Sequence, residues 1–215
     1  MSKIEAPKLS NTLTESNDLQ TIVSESAADE QDIIGYHFSN AGLENITVNI
    51  IEFHECILEN IRFTKCTFHG IYFADTVFVN CDLSNVDFSD CFLRRVRFEN
   101  CKAMGTNFTE ATFEQVTMQN CNCNFFNLSS AKLKNVSFEH VDFSNGSFQQ
   151  SSLKSVVFQE CKLIQAEFLH TPLRGIDLTG CEIDGILLSG PELQGAIVTA
   201  LQACDLSRYL GLIVR

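Results

Sequence analysis

Cys81-Asp82-Leu83-Ser84-Asn85 followed by Val86-Asp87-Phe88-Ser89-Asp90 is one five-residue pattern written twice. A small residue comes first, an acid second, a large apolar residue third, and two polar residues close the unit. Stepping outward by five from Leu83 and Phe88, the large apolar residue keeps returning. Backward it meets Phe78, Phe73, Phe68, Phe63, Leu58, Phe53, Val48, Leu43 and Phe38; forward it meets Leu93, Phe98, Ala103, Phe108, Phe113 and so on to Val198. The frame holds for 33 positions, of which 15 are Phe and 12 are Leu, in a chain with 18 Phe in all. Phenylalanine is therefore placed by the repeat, and an internal repeat takes precedence over any search for separate helices and strands.

A period of five fits neither a helix nor a strand, whose apolar faces return at about 3.6 and 2 residues. It fits a short extended segment followed by a corner. With the central residue called i, position i−2 is mostly apolar or small, as at Ile46, Ile51, Cys56, Ile61, Cys66, Ile71, Cys81 and Val86. Two residues apart on an extended chain lie on one face, so i and i−2 point inward and the other three point out. Position i+2 holds nine Asn, seven Gly and two Asp among its 33 residues. These types tolerate the positive φ of tight turns, which predicts a corner there.

A period of 20 lies over the period of five. Asn40, Asn60, Asn80, Asn100 and Asn120 follow it, as do Cys81, Cys101, Cys121, Cys161 and Cys181. Four fives make a four-sided turn, with like residues stacked in columns. Residues 38–198 predict about eight turns and, at about 4.8 Å between strands, a rod roughly 40 Å long.

The unit of small residue, Asp or Asn, Leu or Phe, then two variable residues resembles that of the pentapeptide repeat proteins. The resemblance covers about three quarters of the chain. It implies an all-β fold, the right-handed quadrilateral β-helix of that family. The expected domains are a polar N-terminal leader and cap over 1–35, the repeat β-helix over 36–198, and a C-terminal helix and tail over 199–215.

The leader carries Lys3 and Lys8 against seven acids, and Leu19, Ile22 and Val23 form a faint helical stripe. A flexible leader with a turn or two of helix closing the first open edge is the expectation. At the other end, Thr199 and Gln202 form a candidate capping box. A helix should run to about Leu210, with Ala203, Leu206 and Leu210 on one face and Gly211 as its stop. Leu212-Ile213-Val214 reads as an apolar strip that closes the tower, joins a second copy, or does both.

Tyr209-Leu210-Gly211-Leu212-Ile213-Val214 after a repeat tower resembles the end of the quinolone-resistance (Qnr) proteins, most strongly the chromosomal members of Gram-positive bacteria. The resemblance implies a homodimer through Ala203, Leu206, Tyr209, Leu210, Leu212 and Ile213, forming one long rod similar to duplex DNA in size and charge. It also implies DNA gyrase and topoisomerase IV as partners, protected from quinolones. Plasmid-borne Gram-negative members carry loops that break the repeat and assist protection; between Phe38 and Val198 this sequence has no such break.

The net charge of −12 is distributed by side. The side centred on Phe68, Phe88 and Phe108 carries Asp87, Asp90, Glu110 and Glu167 and no base. The side centred on Phe38, Leu58, Phe78 and Phe98 carries Glu59, Glu99, Glu139, Glu160 and Asp177 against Arg97. The Leu83 side, between them, is nearly balanced. The side centred on Phe53, Phe73 and Leu93 holds Arg94, Arg95, Lys132, Lys134, Lys154 and Arg174 against five acids. A DNA binder concentrates Lys and Arg against phosphate, so direct nucleic-acid binding is not expected. An acidic rod could instead enter a basic groove built for DNA, although acidity also serves solubility alone. A structural or scaffolding role with an unrelated protein partner is the alternative.

Eight of ten cysteines sit at i−2, where a small buried hydrophobe belongs, so reduced core thiols are expected rather than disulfides. Cys121-x-Cys123 has no second pair to complete a zinc site. His37, His54, His69, His140 and His170 all point outward by register, and no catalytic constellation appears. The sequence thus predicts no enzyme, no cofactor and no metal. No stretch is apolar enough to span a membrane and no signal peptide is visible, which places the expected site of action in the cytoplasm.

Overall fold

The structure is a computed structural model and describes residues 4–213. It is a parallel β-solenoid of about seven turns, against the eight anticipated, closed by a short C-terminal helix. The first turns are built from three- and four-residue strands. After β1 (Thr14–Ser16) and α1 (Leu19–Asp29) come β2 (Ile33–Ile34), β3 (Tyr36–Ser39), β4 (Gly42–Glu44), β5 (Thr47–Asn49), β6 (Glu52–His54), β7 (Ile57–Glu59), β8 (Arg62–Thr64) and β9 (Thr67–His69). From there the Phe73 and Phe78 sides share eight-residue strands bent at one corner: β10 (Tyr72–Val79), β11 (Phe92–Glu99), β12 (Thr112–Gln119), β13 (Lys132–Glu139) and β14 (Ser152–Gln159). The other two sides are single parallel bridges such as Arg62 to Asp82 to Lys102.

Every pairing within the repeat has a register of 20, as in Phe73 with Leu93 and Phe78 with Phe98. The corners carry the positive φ that their residue types predict. Asn40, Asn60, Asn80, Asn100 and Asn120 lie at φ 52–54, and less tolerant residues follow suit, with Ile50 at 60 and Phe125 at 58. Corner N–H groups donate to the next turn, as Asn80 does to the Glu99 carbonyl at 2.9 Å and Asn85 to that of Met104 at 2.8 Å. On the Leu83 and Phe88 sides the corner also closes a β-turn, Val86 N–H to Leu83 carbonyl at 3.1 Å.

Inside, the central residues form aromatic columns. Phe68, Phe88 and Phe108 stack at 5.2 and 4.9 Å, and Phe148 on Phe168 at 4.7 Å. One turn breaks the rule of large at i and small at i−2. There Cys123 and Leu128 hold the central places and Phe126 sits at i−2, its ring 5.2 Å from Phe108. The large group has moved two residues back and fills the volume they leave. The i−2 cysteines and hydroxyls have a second task. Each donates to the carbonyl of the central residue 23 positions earlier, as Cys81 Sγ does to Leu58 at 3.2 Å and Thr106 Oγ1 to Leu83 at 2.8 Å. Nine of the cysteines are buried and all ten are free. Burial pushes the Cys56 thiol up to about 11 and that of Cys91 to about 12, so both stay protonated.

The N-terminal region differs from the expected loose leader. Ile33 is already in register, buried and paired with Phe53. Helix α1 covers the first turn with Leu19 and Val23 buried, starts on an Asp18 side-chain cap and ends at Glu30 in the left-handed region. β1 adds a strand above β3, Ser16 opposite Phe38, a register of 22 rather than 20. The first repeat edge is thus both paired and roofed, which removes a site for pairing with other chains. Residues 4–13 lie against the solenoid's outside, hydrogen bonded at Gln115 and Asp75.

Phe108 touches Phe88, Phe113 and Phe126 within 5.2 Å between ring centres. Phe108→Ala should therefore leave a cavity and cost about 3–5 kcal/mol. Urea unfolding followed by circular dichroism measures this; a loss under about 1 kcal/mol would contradict the packing described.

Candidate partner-binding surfaces

The acidic sides are set by the period of 20. Asp87 and Glu167 occupy one column four turns apart, while Asp90 and Glu110 are successive corners of another. On this Phe88 side no acid forms an ion pair with a described residue. Asp87 accepts from the Ser89 N–H at 3.0 Å and from Asn107 Nδ2 at 2.9 Å, and Glu167 from Ser147 Oγ at 3.3 Å. Neutral donors orient these carboxylates and leave their charge in place.

The opposite, Phe78 side differs. Glu59 lies 3.0 Å from His37 Nε2, Glu99 lies 3.2 Å from Arg97 Nε, and Glu139 accepts from Gln119 at 2.8 Å beside His140. Glu160 also faces His140, at 3.3 Å. Most of its acids thus have a local cation or imidazole. By sequence the Phe88 side carries four acids and no base and the Phe78 side five acids and Arg97; most of the Phe78 acids have an imidazole or guanidinium within reach while those of the Phe88 side meet neutral donors, and only side-chain geometry reveals this.

The C-terminal end has the expected capping box. Thr199 Oγ1 accepts from the Gln202 N–H at 3.2 Å, and Gln202 Oε1 accepts from the Thr199 N–H at 2.8 Å. Helix α2 (Ala200–Leu206) then tightens into a 3₁₀ turn over Ser207–Leu210 and stops at Gly211, φ 71. Leu206 is buried, and the half-buried Tyr209 donates its hydroxyl to the Ile186 carbonyl; both close the chain's own tower. Leu210, Leu212 and Ile213 are exposed, Ile213 at 87%, and Ala203 is exposed too. Sequence reading missed Leu201, 76% exposed, and Ile197. Val214, the end of the apolar strip, lies outside the described residues.

The repeat matches the model of a pentapeptide repeat region over residues 51–128, 93–168 and 127–197. The chain belongs to the pentapeptide repeat family. No curated protein sequence matches it. Similar solved structures include a trypsin-treated variant of QnrB1, a plasmid-mediated fluoroquinolone resistance protein. It is 23% identical, with 95% of this chain and 97% of that one covered and a TM-score of 0.39. Full-length QnrB1 is 21% identical over 85% and 91%, TM-score 0.40. HetL of the cyanobacterium Nostoc sp. strain PCC 7120, a pentapeptide repeat protein involved in heterocyst differentiation regulation, is 17% identical over 82% and 97%, TM-score 0.31.

The remaining surface of this pentapeptide repeat tower is structured by ion pairs. On the Phe73 side Arg95 is held by Asp75 and Lys134 by Glu114, whereas Lys132, Lys154 and Arg174 have no acid partner among the described residues. Asp32, Glu52 and His54 bring their ligating atoms within 4.8 Å of one another, with His54 Nε2 2.6 Å from Glu52. All three are exposed or half-buried, and the imidazole already has its carboxylate, so the His54–Glu52 hydrogen bond accounts for the group. No described helix is long and apolar enough to cross a membrane.

His37 is a contact that sequence reading missed. Its ring lies between Glu15 of β1 and Glu59 of β7, 3.0 Å from each. Glu15 stands directly opposite His37 in the cap's register of 22, and Glu59 lies two residues beyond Ile57, His37's partner in the ordinary register of 20. Burial works to lower the imidazole, but the two carboxylates outweigh it and raise His37 above its ordinary 6.5. A value raised on folding gives stability that is complete below 6.5 and is lost as pH rises through the raised value. Hydrogen exchange of the β1 amides, corrected for intrinsic rates, should therefore show stronger protection at about pH 5.5 than at about pH 8. Equal protection would mean that His37 does not hold the cap.

Proposed function

We propose that this tower stands in for duplex DNA. In that reading it binds DNA gyrase and topoisomerase IV and protects them from quinolones or modulates their activity. One observation carries the reading: a full side of a narrow rod, marked by Asp87, Asp90, Glu110 and Glu167, whose acids have no intramolecular cation among the described residues. A groove that grips DNA is lined with cations spaced for phosphates, and an uncompensated acidic rod is attracted to it at long range. The Phe88 side is the face we assign to the partner, ahead of the Phe78 side with Glu59, Glu99 and Glu139, because the latter's carboxylates are already engaged by His37, Arg97 and His140 or Gln119.

Length supports the same reading if two copies join. Leu201, Leu210, Leu212 and Ile213 are all exposed in the C-terminal segment, apolar surface of the kind that marks a contact. Two towers of about seven turns end to end would span roughly 70 Å, about 20 base pairs at 3.4 Å each. The C-terminal resemblance to the Qnr proteins points the same way. A scaffold with another protein partner is the competing reading.

Supercoiling by gyrase with and without ciprofloxacin is the deciding assay. Purified protein at micromolar concentration should relieve drug inhibition or alter supercoiling, and added salt should weaken the effect. Asp90→Lys combined with Glu110→Lys should reduce it about tenfold or more while leaving the circular dichroism spectrum unchanged. No effect of the parent protein on either enzyme, with capture of a different protein from host lysate, favours the scaffold.

The dimer has its own test. Leu210→Asp, or removal of residues 199–215, should give a monomer by light scattering; a persisting dimer mass would remove the tail from the interface.

A further inference from the structure

Along β10, Ala74, Asp75 and Val77 point out of the solenoid by register, yet all three are buried, Asp75 to 8% exposure. At the same places one turn later Arg94 is exposed, and Arg95 and Arg97 are half-buried. The cover is the chain's own N-terminal arm. Lys8 donates its main-chain N–H to Asp75 Oδ1 at 2.8 Å, and Glu5 donates its own to Gln115 Oε1 at 2.9 Å. Thr14 N–H then reaches the Gly35 carbonyl at 2.8 Å.

Gly35, Asp75 and Gln115 belong to a single corner column, so the arm runs along that column back toward the N-terminal end. Two turns separate Gln115 from Asp75, about 10 Å, and the three residues from Glu5 to Lys8 span about the same when extended. Ile4, Pro7, Leu9 and Leu13 are half-buried, whereas Glu5, Lys8, Ser10 and Asn11 are exposed.

The column is prepared for such a segment. Arg95, one turn below Asp75, holds its carboxylate with Nε on Oδ1 and Nη2 on Oδ2, each at 2.6 Å. Burial works to raise the Asp75 carboxyl, but Arg95 and the Lys8 N–H outweigh it and keep it below the usual carboxylate range. A buried, clamped carboxylate and an amide oxygen thus stand at a spacing that fits main-chain N–H groups three residues apart. Ala74 and Val77 supply an apolar ledge beside them. Both contacts read the backbone of the arm and neither reads its side chains, as in other recognition of extended segments.

We propose that the Asp75–Arg95–Gln115 column is a peptide-binding track whose ligand class is an extended segment, and that residues 4–9 are its resident, exchangeable occupant. Its preferred ligand offers two main-chain N–H groups three residues apart, with proline or an apolar residue on either side of the second. The occupant lies outside the turn-to-turn ladder, so it can leave without breaking any pairing of the solenoid. The site is independent of any role at topoisomerases.

The test keeps the full chain. Lys8→Pro deletes the N–H that Asp75 accepts, fixes φ there and at most loosens an exposed Lys8–Glu5 pair at 3.9 Å. Hydrogen exchange by mass spectrometry should show the amides of residues 5–14 exchanging about tenfold faster in Lys8→Pro than in the parent, with β11–β14 unchanged. A fluorescent peptide of residues 4–13 should then bind Lys8→Pro and bind the parent about tenfold more weakly, because the tethered arm competes. Adding Asp75→Ala should abolish that binding; if Asp75→Ala disturbs the fold by circular dichroism, Gln115→Ala takes its place and should weaken it. Unchanged arm exchange in Lys8→Pro, no peptide binding to it, or binding indifferent to the second substitution would each overturn the proposal.

Discussion

The structure depends on one backbone constraint, a left-handed residue at nearly every fifth position from Gly35 to Gly195, with Gly180 the exception. With φ near 50–62 at corner after corner, the chain turns at intervals of five and returns above itself after 20. For residues with a Cβ this conformation costs roughly 1–2 kcal/mol each. Burying the central Leu or Phe of the same unit contributes about 1.5–3 kcal/mol, which is enough to hold even Ile50 and Phe125 in the corner. Many corner N–H groups find a carbonyl in the next turn, and those of His170 and Gly190 go to the Glu192 carboxylate instead, so these polar groups are satisfied where the chain bends.

That constraint also sets the chemistry of the outside. With a register of 20, any surface residue type that recurs every fourth unit becomes a stripe. In-register stacking brings like charges close together, an arrangement that costs stability when they are unpaired. On the Phe78 side that cost is relieved by His37, Arg97 and His140. The Phe88 side has no such relief, and its carboxylates are steadied by Ser89, Asn107 and Ser147 instead. The contrast lies in whether a stripe's carboxylates meet a basic side chain or only neutral donors.

Most of the solenoid was legible because its rule is local and repeated. Inward and outward positions, corner residues, the reduced cysteines and the Thr199–Gln202 box all follow from spacing and residue type. What escaped was whatever breaks the period. Phe126 exchanges its size with Cys123 and Leu128 across two positions, and no single-position rule describes that. His37 meets Glu15 through the shifted register of the cap and Glu59 diagonally across the ordinary register of 20. The N-terminal arm has no repeat to read; the only hint is the run of small or apolar outward residues, Ala74, Val77 and Val79, where the pattern asks for polar ones. The inequality of the two acidic sides likewise depends on which side chains reach one another.

The roof over the first turn bears on how the molecule is assembled. In a solenoid each layer touches only its neighbours, so order can spread from one finished layer to the next. Helix α1 and β1 are made early in synthesis and give the first layer a finished upper surface. Every later segment then emerges onto a template whose carbonyls and thiols are already aligned to receive it. A nascent chain built in this direction keeps its growing edge short, and the nine core thiols are buried a layer at a time rather than all at once.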